Sequence, residues 1–351
     1  MKGRMIVLDR VGGRKAAALL EDGRLEDLLI DPPDGLGTAP EAILCGFAGR
    51  PMKGQGGIFV DLPQGRGFLR QAKGVRPGTQ LLVQVSGYGD PAKALPLTTR
   101  VLLKARHAIV TPGAPGCNIA RSIRDRDTRA GLQALADAEM ADTPEDMGLI
   151  LRSSAATAPE PEIRADIVAM RDLALSLIAR CDANSGTPAL LRDAPDAHSL
   201  AARDWFDPHT EMPAPQQGGF DAHGVHEMIA QLRQPHEPLP TGGTMLLEQT
   251  SALVAVDVNT GADTSPAAGL KANLAAARAL PRALRLRGLG GQVAVDFAPM
   301  PRKDRQALEQ ALDAACRRDA SEITLAGWTP LGNFELQRKR DRMPLHRLIP
   351  A

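Results

Sequence analysis

The chain has 351 residues, of which 43% are hydrophobic and 24% charged, so it is long enough for two or three compact domains with cores of their own. Its formal net charge of +1 excludes a strongly basic protein, and any site for a polyanion must therefore be a local patch. The four cysteines form no CxxC pair and no apolar run has the length of a signal peptide or a membrane helix, so we expect a reduced, cytoplasmic protein without a disulfide framework.

The first part of the chain is rich in short predicted strands. Residues 1–34 contain two strands around the glycines at positions 12 and 13, and this pattern predicts a hairpin. Residues 35–100 contain five short alternating segments separated by glycines, from AILCGFAG to LPLTTRV. Five strands at this spacing predict a small closed barrel of the OB type.

The remainder of the chain mixes strands and helices. Residues 101–192 include a predicted helix in which apolar residues between Ile167 and Leu177 recur at helical spacing, which is typical of an α/β unit. Residues 193–238 are rich in Pro, His and Asp, and we interpret them as a partial subdomain or a long connection. In residues 239–351 strands alternate with helices, which predicts a layered α/β sheet with a crossover between two parallel strands.

Each of those two parallel strands carries an aspartate. The segment VAVDVN contains Asp257, and it recurs as VAVDF with Asp296. Neighbouring parallel strands bring both acids to the carboxyl edge of the sheet, where open α/β folds bind ligands. Two adjacent carboxylates repel unless a cation lies between them, and Mg²⁺ prefers such oxygen ligands together with water and phosphate.

Asn259 lies two residues beyond Asp257 and therefore faces the same side of the strand, where it can orient a phosphate or a metal-bound water. An acid that follows an apolar strand is also commonly a helix N-cap or a turn residue. The spacing alone therefore leaves a purely structural role open.

Longer stretches of sequence carry a resemblance. SALVAVDVNTGADT, NLAAARALPRALRLRGLGGQVAVDFAPM and LGNFELQRKR are similar to the catalytic core of the ribonuclease E/G family of bacterial endoribonucleases. GGIFVDLPQGRGFL resembles the OB domain of that family, and DMGLILRSSA resembles its sensor for RNA 5′ ends. The resemblance implies a multidomain α/β protein in five parts: RNase H-like strands at 1–34, an inserted OB-fold barrel at 35–100, a 5′-sensor-like region at 101–192, a shortened RNase H-like part at 193–238, and a DNase I-like catalytic subdomain at 239–351.

Motif by motif, the resemblance also implies roles for single residues. Asp257 and Asp296 would hold a catalytic Mg²⁺, and Asn259 would assist them. Arg152 and Ser153 match the arginine and hydroxyl residue that recognise a 5′-monophosphate, and an arginine fork suits that phosphate. The alternative for Arg152 is an ordinary arginine at a strand end.

RNA binding in the OB part would depend on Phe59, Phe68 and Lys93. Exposed aromatic rings on paired strands stack unpaired bases without reading their sequence. The alternative is that both phenylalanines belong to the barrel core. The runs of arginine and lysine at 282–287 and 338–342 would carry RNA phosphates if they lie beside the metal site, or otherwise form a solvated face.

The sequence departs from the family pattern in three places. Glu322 stands near the position of a second arginine of the 5′ sensor, and Pro299 stands where relatives commonly carry an acid. The CPxC segment through which family subunits share a zinc ion is missing, so we expect no structural zinc and no zinc-linked dimer. The oligomeric state is therefore left open.

These observations predict a Mg²⁺-dependent endoribonuclease that cuts single-stranded RNA in RNA processing or decay, leaving a 5′-phosphate and a 3′-hydroxyl. One alternative is a paralogue that binds RNA but cuts it poorly and acts as a regulator. Another is an unrelated Mg²⁺ phosphohydrolase for small molecules, in which the barrel would be merely structural.

Overall fold

The fold is described from a computed structural model, which places residues 3–35, 38–52, 56–70, 72–89, 93–184, 186–207, 209–212, 217–265 and 267–349. The chain divides into two compact units. Unit 1 consists of residues 1–33 and 209–351, and unit 2 consists of residues 34–208. The sequence placed a boundary at 192/193, whereas unit 2 extends to residue 208; the finer division into five parts stays a prediction.

The strands within these ranges are β1 Arg4–Val11, β2 Arg14–Glu21, β3 Arg24–Ile30, β4 Ile43–Pro51, β5 Ile58–Leu62, β6 Gly65–Leu69, β7 Gln80–Val85, β8 Leu95–Thr98, β9 Leu103–Lys104, β10 Ala108–Thr111, β11 Gly116–Ile119, β12 Gly148–Leu151, β13 Ala189–Arg192, β14 Thr210–Glu211, β15 His236–Pro238, β16 Thr244–Gln249, β17 Leu253–Asn259, β18 Gly291–Asp296, β19 Ile323–Trp328 and β20 Phe334–Arg338. The helices are α1 Arg126–Met140, α2 Glu160–Asp182, α3 Ala197–Asp204, α4 Gly219–Ala222, α5 Val225–Leu232, α6 Ala268–Leu286, α7 Arg305–Cys316 and α8 Leu345–Leu348, and Ser153–Ala156 and Arg302–Asp304 form 3-10 turns. Among the residues that the structure places, no helix is both long and apolar enough to cross a bilayer.

Unit 1 contains a four-stranded sheet in the order β14-β1-β2-β3. As the sequence predicts, β1 and β2 form an antiparallel hairpin, and the turn uses Gly12 and Gly13 at φ values of 57° and 80°, a region that favours glycine. The buried carboxylate of Asp9 accepts a 2.8 Å hydrogen bond from the backbone N–H of Phe220. That bond attaches the short helix α4 to β1.

The second sheet of unit 1 has six strands in the order β15-β16-β17-β18-β20-β19. Strands β17 and β18 are parallel neighbours, and α6 connects them, which confirms the predicted crossover. Valines of both strands lie in one core cluster with alanines and leucines of α6 and α7. The two helices therefore cover one face of the sheet.

Unit 2 contains a closed five-stranded barrel that is OB-like, as the sequence predicts. Its strands follow the order β4-β5-β6-β8-β7, and β7 pairs with β4 to close the sheet. Strands β6 and β8 are parallel, and the other pairs in the barrel are antiparallel. Strand β13 extends the sheet beside β4. Buried aliphatic side chains such as Val60, Val83 and Leu97 fill the barrel.

The remainder of unit 2 is a sheet in the order β11-β12-β10-β9, with α1 and α2 packed against it. The predicted helix between Ile167 and Leu177 lies within α2, and both residues are fully buried in this core. Together the two units give the mixed α/β architecture that the sequence predicts.

Candidate functional site

The two predicted aspartates lie side by side. Strands β17 and β18 pair in parallel with Asp257 directly opposite Asp296. Neighbouring strands are about 4.8 Å apart, so the two carboxylates share one small patch at the carboxyl edge of the sheet. Both residues are exposed to solvent. The structure therefore brings together the two acids that the repeated VAVD pattern singled out.

These acids point away from the helices. Along β17 the buried residues Val256 and Val258 alternate with the exposed residues Asp257 and Asn259. Because side chains alternate between the faces of a sheet, the polar pair lies on the face opposite α6 and α7. The amide Nδ2 of Asn259 donates a 2.6 Å hydrogen bond to Oδ2 of Asp257. Asn259 thus fixes the orientation of one carboxylate and leaves its other oxygen available.

The loop that follows Asp296 is clamped by a residue that the sequence reasoning missed. Asn273 on α6 is fully buried, and its Nδ2 donates a 2.8 Å bond to the carbonyl of Ala298. Its Oδ1 accepts a 2.9 Å bond from the N–H of Ala298. The signal was present in the sequence, since Asn273 is an amide on the apolar face of a helix.

Two glycines support the same edge by close backbone packing. A Cβ at Gly243, in the turn before β16, would lie 2.3 Å from the carbonyl oxygen of Asn259. A Cβ at Gly269 would lie 2.1 Å from the carbonyl oxygen of Pro299. Only glycine leaves room for these contacts, so the strand ends that carry the acids are held against neighbouring backbone.

The two aspartates supply oxygen atoms that could bind a metal ion. The described part of the chain contains no cluster of three or more His, Cys, Asp or Glu side chains suited to hold a metal. Two adjacent carboxylates nevertheless fit Mg²⁺, because Mg²⁺ keeps several waters and is commonly held by one or two carboxylates plus a substrate phosphate. The chemistry of Asp257 and Asp296 is therefore compatible with a magnesium site that is completed by water and substrate.

The aromatic pair of unit 2 lies outside the barrel core. Phe59 and Phe68 are directly opposite each other on β5 and β6, with ring centroids 5.6 Å apart and ring planes at 61°. Both are half-buried, whereas their neighbours Ile58, Val60 and Leu69 are buried. The structure thus overturns the alternative that both phenylalanines are core residues. Partly exposed aromatic rings on paired strands are of the kind that stack with unpaired bases.

Lys93 is exposed and lies two residues before β8. Strand β8 pairs with β6, where Phe68 is opposite Pro96. The lysine therefore lies just before the strand that pairs with the strand of Phe68.

Arg152 already has protein partners. It lies just after β12, and its guanidinium donates a 2.8 Å bond to the carbonyl of Ala105 and a 2.9 Å bond to Oδ1 of Asp204. Ser153 is exposed at the start of the adjacent 3-10 turn. Burial would raise the pKa of Asp204, but hydrogen bonds and charge from Arg203 and Arg152 outweigh it and lower that pKa. A phosphate that binds Arg152 would have to compete with an ionised carboxylate.

Most arginines of the two basic runs in unit 1 lie neither on a solvated face nor beside the two aspartates. Arg285, Arg287 and Arg338 are buried, with 8%, 6% and 1% of their surface exposed. The expectation of a solvated face was wrong for these three arginines, because they form ion pairs with acids from other parts of the chain. We call the resulting ion pairs the arginine network; its members are Glu26, Asp27, Glu237, Arg282, Arg285, Arg287, Asp319, Arg338, Asp341 and Arg342.

The arginine network lies at the end of the sheet remote from the two aspartates. Arg338 is opposite Gly291, the first residue of β18, whereas Asp296 is the last residue of that strand. Arg342 makes two 2.9 Å bonds to the two carboxylate oxygens of Asp27 on β3. Lys339 and Arg340 are the exposed members of the second basic run.

The sequence is similar to that of one family of known proteins. The model of the Ribonuclease E/G family matches residues 102–214 and 211–341. Ribonuclease E of Nostoc sp. is 29% identical over 310 residues, which cover 78% of this chain and 44% of that protein. Ribonuclease G of Escherichia coli is 28% identical over 312 residues, covering 78% of this chain and 62% of that protein. Ribonuclease G of Haemophilus influenzae is 28% identical over 308 residues with the same two coverages, 78% and 62%. The chain thus spans about half the length of the curated relatives it matches.

Proposed function

Because the chain belongs to the ribonuclease E/G family, we propose that it is a metal-dependent endoribonuclease that cuts single-stranded RNA in RNA processing or decay. The observation that carries the proposal is the register of β17 and β18, in which Asp257 is directly opposite Asp296 on the open face of the sheet. Exposed carboxylates in this arrangement repel each other, and a divalent cation relieves the repulsion.

Asp257 and Asp296 would hold Mg²⁺ through one carboxylate from each strand. Bound there, Mg²⁺ would lower the pKa of a coordinated water and offset negative charge at the phosphate. The exposed position of both acids leaves room for the phosphodiester and for the attacking water. Attack in line with the leaving 3′-oxygen gives a 5′-phosphate and a 3′-hydroxyl.

Asn259 would act as a positioning residue. Its 2.6 Å bond holds Oδ2 of Asp257, which would leave Oδ1 free to bind a cation. The clamp of Asn273 on Ala298 would hold Asp296 in the same way, through the backbone that follows it. Both contacts reduce the motion of the ligand carboxylates, and catalysis depends on such preorganisation.

RNA would be held by the barrel of unit 2. Phe59 and Phe68 would stack two bases, each stack contributing about 1–3 kcal/mol without sequence readout. Lys93, two residues before β8, would contact the phosphate backbone of the RNA. Arg152 and Ser153 would contact the 5′-phosphate, but the ion pair between Arg152 and Asp204 at 2.9 Å weakens this contact.

That ion pair favours a second candidate function, an RNA-binding paralogue that cuts weakly or not at all. If the 5′ end is not recognised, the barrel alone would retain the strand and the protein would act as a regulator. The two candidates differ in whether divalent metal produces turnover.

The test is cleavage of a short A/U-rich single-stranded RNA with and without Mg²⁺. Wild type, Asp257→Asn and Asp296→Asn are compared, with Asp313→Asn as the matched control, since Asp313 is an acid of α7 whose side chain is 44% exposed. We expect Mg²⁺-dependent cleavage by wild type and the control, and loss of cleavage with retained RNA binding in the two site variants. A wild-type protein that binds the RNA and never cuts it, with either a 5′-monophosphate or a 5′-hydroxyl end, would favour the binding paralogue.

A further inference from the structure

The hairpin turn between β19 and β20, residues 329–333, lies at the same edge of the sheet as the two aspartates. We call this turn the tip. Strand β18 runs toward Asp296, and its antiparallel neighbour β20 begins at Phe334, which is opposite Val295. Strand β19 ends at Trp328, opposite the same Phe334. The tip therefore projects beyond the strand end that carries Asp296.

Asn333 is the residue of the tip nearest to Asp296. Continuing the β18–β20 register by one residue places Asn333 opposite Asp296, and antiparallel neighbours have Cα atoms about 4.5–5.5 Å apart. Phe334 is buried and Glu335 exposed, so alternation places Asn333 on the open face, where Asp296 also lies. Two asparagines therefore lie near the acids: Asn259, two residues along β17 from Asp257, and Asn333.

The side-chain amide of Asn333 makes no hydrogen bond within the ranges that the structure places, although its backbone is bonded. Its N–H donates a 3.1 Å bond to the hydroxyl of Thr329, and its carbonyl accepts a 2.7 Å bond from the N–H of Thr329. The N–H of Gly332 donates a 3.0 Å bond to the carbonyl of Thr329. The tip is therefore a turn stabilised by hydrogen bonds, and the side-chain amide of Asn333 beside Asp296 is available to bind a ligand.

Leu331 at the end of the tip is 93% exposed, more than any other large hydrophobic residue that the structure places as exposed. A single exposed leucine is ordinary on a protein surface. Leu331, however, lies two residues before Asn333 in a turn that is stabilised by hydrogen bonds. It is at the edge of the sheet where the proposed substrate would bind. Its neighbour on the chain, Pro330, is exposed as well.

We propose that the tip positions the RNA for cleavage: Asn333 donates a hydrogen bond to a non-bridging oxygen of the scissile phosphate, and Leu331 packs against the adjacent base. The inference rests on the proposed function. Asn333 is a positioning residue on the side of Asp296, as Asn259 is on the side of Asp257. Leu331 adds apolar contact that is independent of base identity.

The experiment compares kcat and KM of wild type, Asn333→Ala and Leu331→Ala on the single-stranded RNA in Mg²⁺. Gln337→Ala is the control for Asn333, since Gln337 is exposed on the same strand and face but at the far end. Leu175→Ala, an exposed leucine of α2, is the control for Leu331. Thermal unfolding of each variant is measured in parallel.

Asn333→Ala is expected to lower kcat about 10–100-fold with little change in KM, the effect of one lost bond to a charged group. Leu331→Ala is expected to raise KM about five- to twentyfold with kcat nearly unchanged. If wild type does not cleave the RNA, the proposed function itself is overturned, and the role of the tip with it. If wild type cuts and both variants match their controls, only the role of the tip is overturned. A change in oligomeric state of Leu331→Ala, with unchanged KM, would also overturn it by assigning Leu331 to a contact between copies.

Discussion

The two ends of the six-stranded sheet in unit 1 differ in the burial and the sign of their charged side chains. At the end near Gly291, the side chains of Arg338 and Asp319 have 0% exposure and lie 3.6 Å apart within the arginine network. At the other end, Asp257 and Asp296 are exposed, carry the same sign and lie directly opposite each other. Opposite charges are buried at one end, and like charges are left open at the other.

This difference indicates which end serves stability and which serves chemistry. Burying an ion is costly unless a partner and hydrogen bonds compensate it, so the arginine network must be complete to be stable. Two exposed acids gain nothing from each other and leave their oxygens available to a cation.

Arg338→Ala is expected to lower the free energy of unfolding by about 3–5 kcal/mol, since it leaves Asp319 buried with one partner fewer. The measurement is urea unfolding followed by circular dichroism. Arg317→Ala removes a surface ion pair with Asp313, in which the arginine side chain is 78% exposed, and should cost less than about 0.5 kcal/mol. Equal losses of unfolding free energy in the two variants would mean that the buried ion pairs stabilise the fold no more than a surface ion pair does.

In unit 2 the proposed RNA-binding groups are partly exposed aromatic rings and not exposed charges. Phe59→Ala and Phe68→Ala test their role. Each change is expected to weaken RNA binding by about 1–3 kcal/mol, measured by fluorescence anisotropy with a labelled oligonucleotide. The unfolding midpoint should change little because both rings lie outside the barrel core. Unchanged affinity in both variants would contradict a stacking role.

Glu41 provides a pH test of buried ion pairing in unit 2. Burial opposes ionisation, but the hydrogen bond and charge of Arg203 and the charge of Lys104 outweigh it, so the pKa of Glu41 lies below its ordinary value of 4.5. A lowered carboxyl pKa stabilises the fold above pH 4.5, and the contribution is lost as pH falls through the lowered pKa.

The corresponding measurement is the unfolding free energy of wild type and Glu41→Gln between neutral and acid pH. The variant should be less stable at pH 7 by about 1.5–3 kcal/mol, and the gap should close on acidification. Glu145→Gln, at an exposed loop position, is the control and should follow wild type. A gap that stays constant with pH would rule out the ionised pair as its origin.

The smallest stability change is expected at the open end of the sheet. Asp257→Asn and Asp296→Asn remove one of two like charges and break no ion pair, so the unfolding midpoint should stay the same or rise slightly. Differential scanning calorimetry without added metal measures this directly. A marked loss of stability would assign these acids a structural role.

The sequence predicted the placement of the two acids because a repeated strand pattern and a crossover of ordinary length determine a parallel register. The closed barrel was likewise predictable from the spacing of short strands. The buried arginines were misinterpreted because local sequence does not show their partners, and two of these, Glu26 and Asp27, lie far away in the chain. Arg285 and Glu26, for example, are separated by 259 residues.

Contacts made through folded backbone were also missed. The clamp of Asn273 on Ala298 joins residues 25 positions apart, and its geometry depends on how α6 packs against the loop after β18. The position of Asn333 beside Asp296 depends on the antiparallel register of β20, which no local pattern specifies. The presence of the strands could be predicted from the sequence, but the order in which they pair could be known only from the structure.

The most direct test of the metal site is a titration with Mn²⁺ as a paramagnetic substitute for Mg²⁺, with free ion measured by electron paramagnetic resonance. Wild type, the double variant Asp257→Asn/Asp296→Asn and the control Asp313→Asn are compared. We expect one ion bound per chain in wild type and control, and an affinity at least about tenfold weaker in the double variant. Identical titration curves for wild type and the double variant would contradict a metal site at these two aspartates.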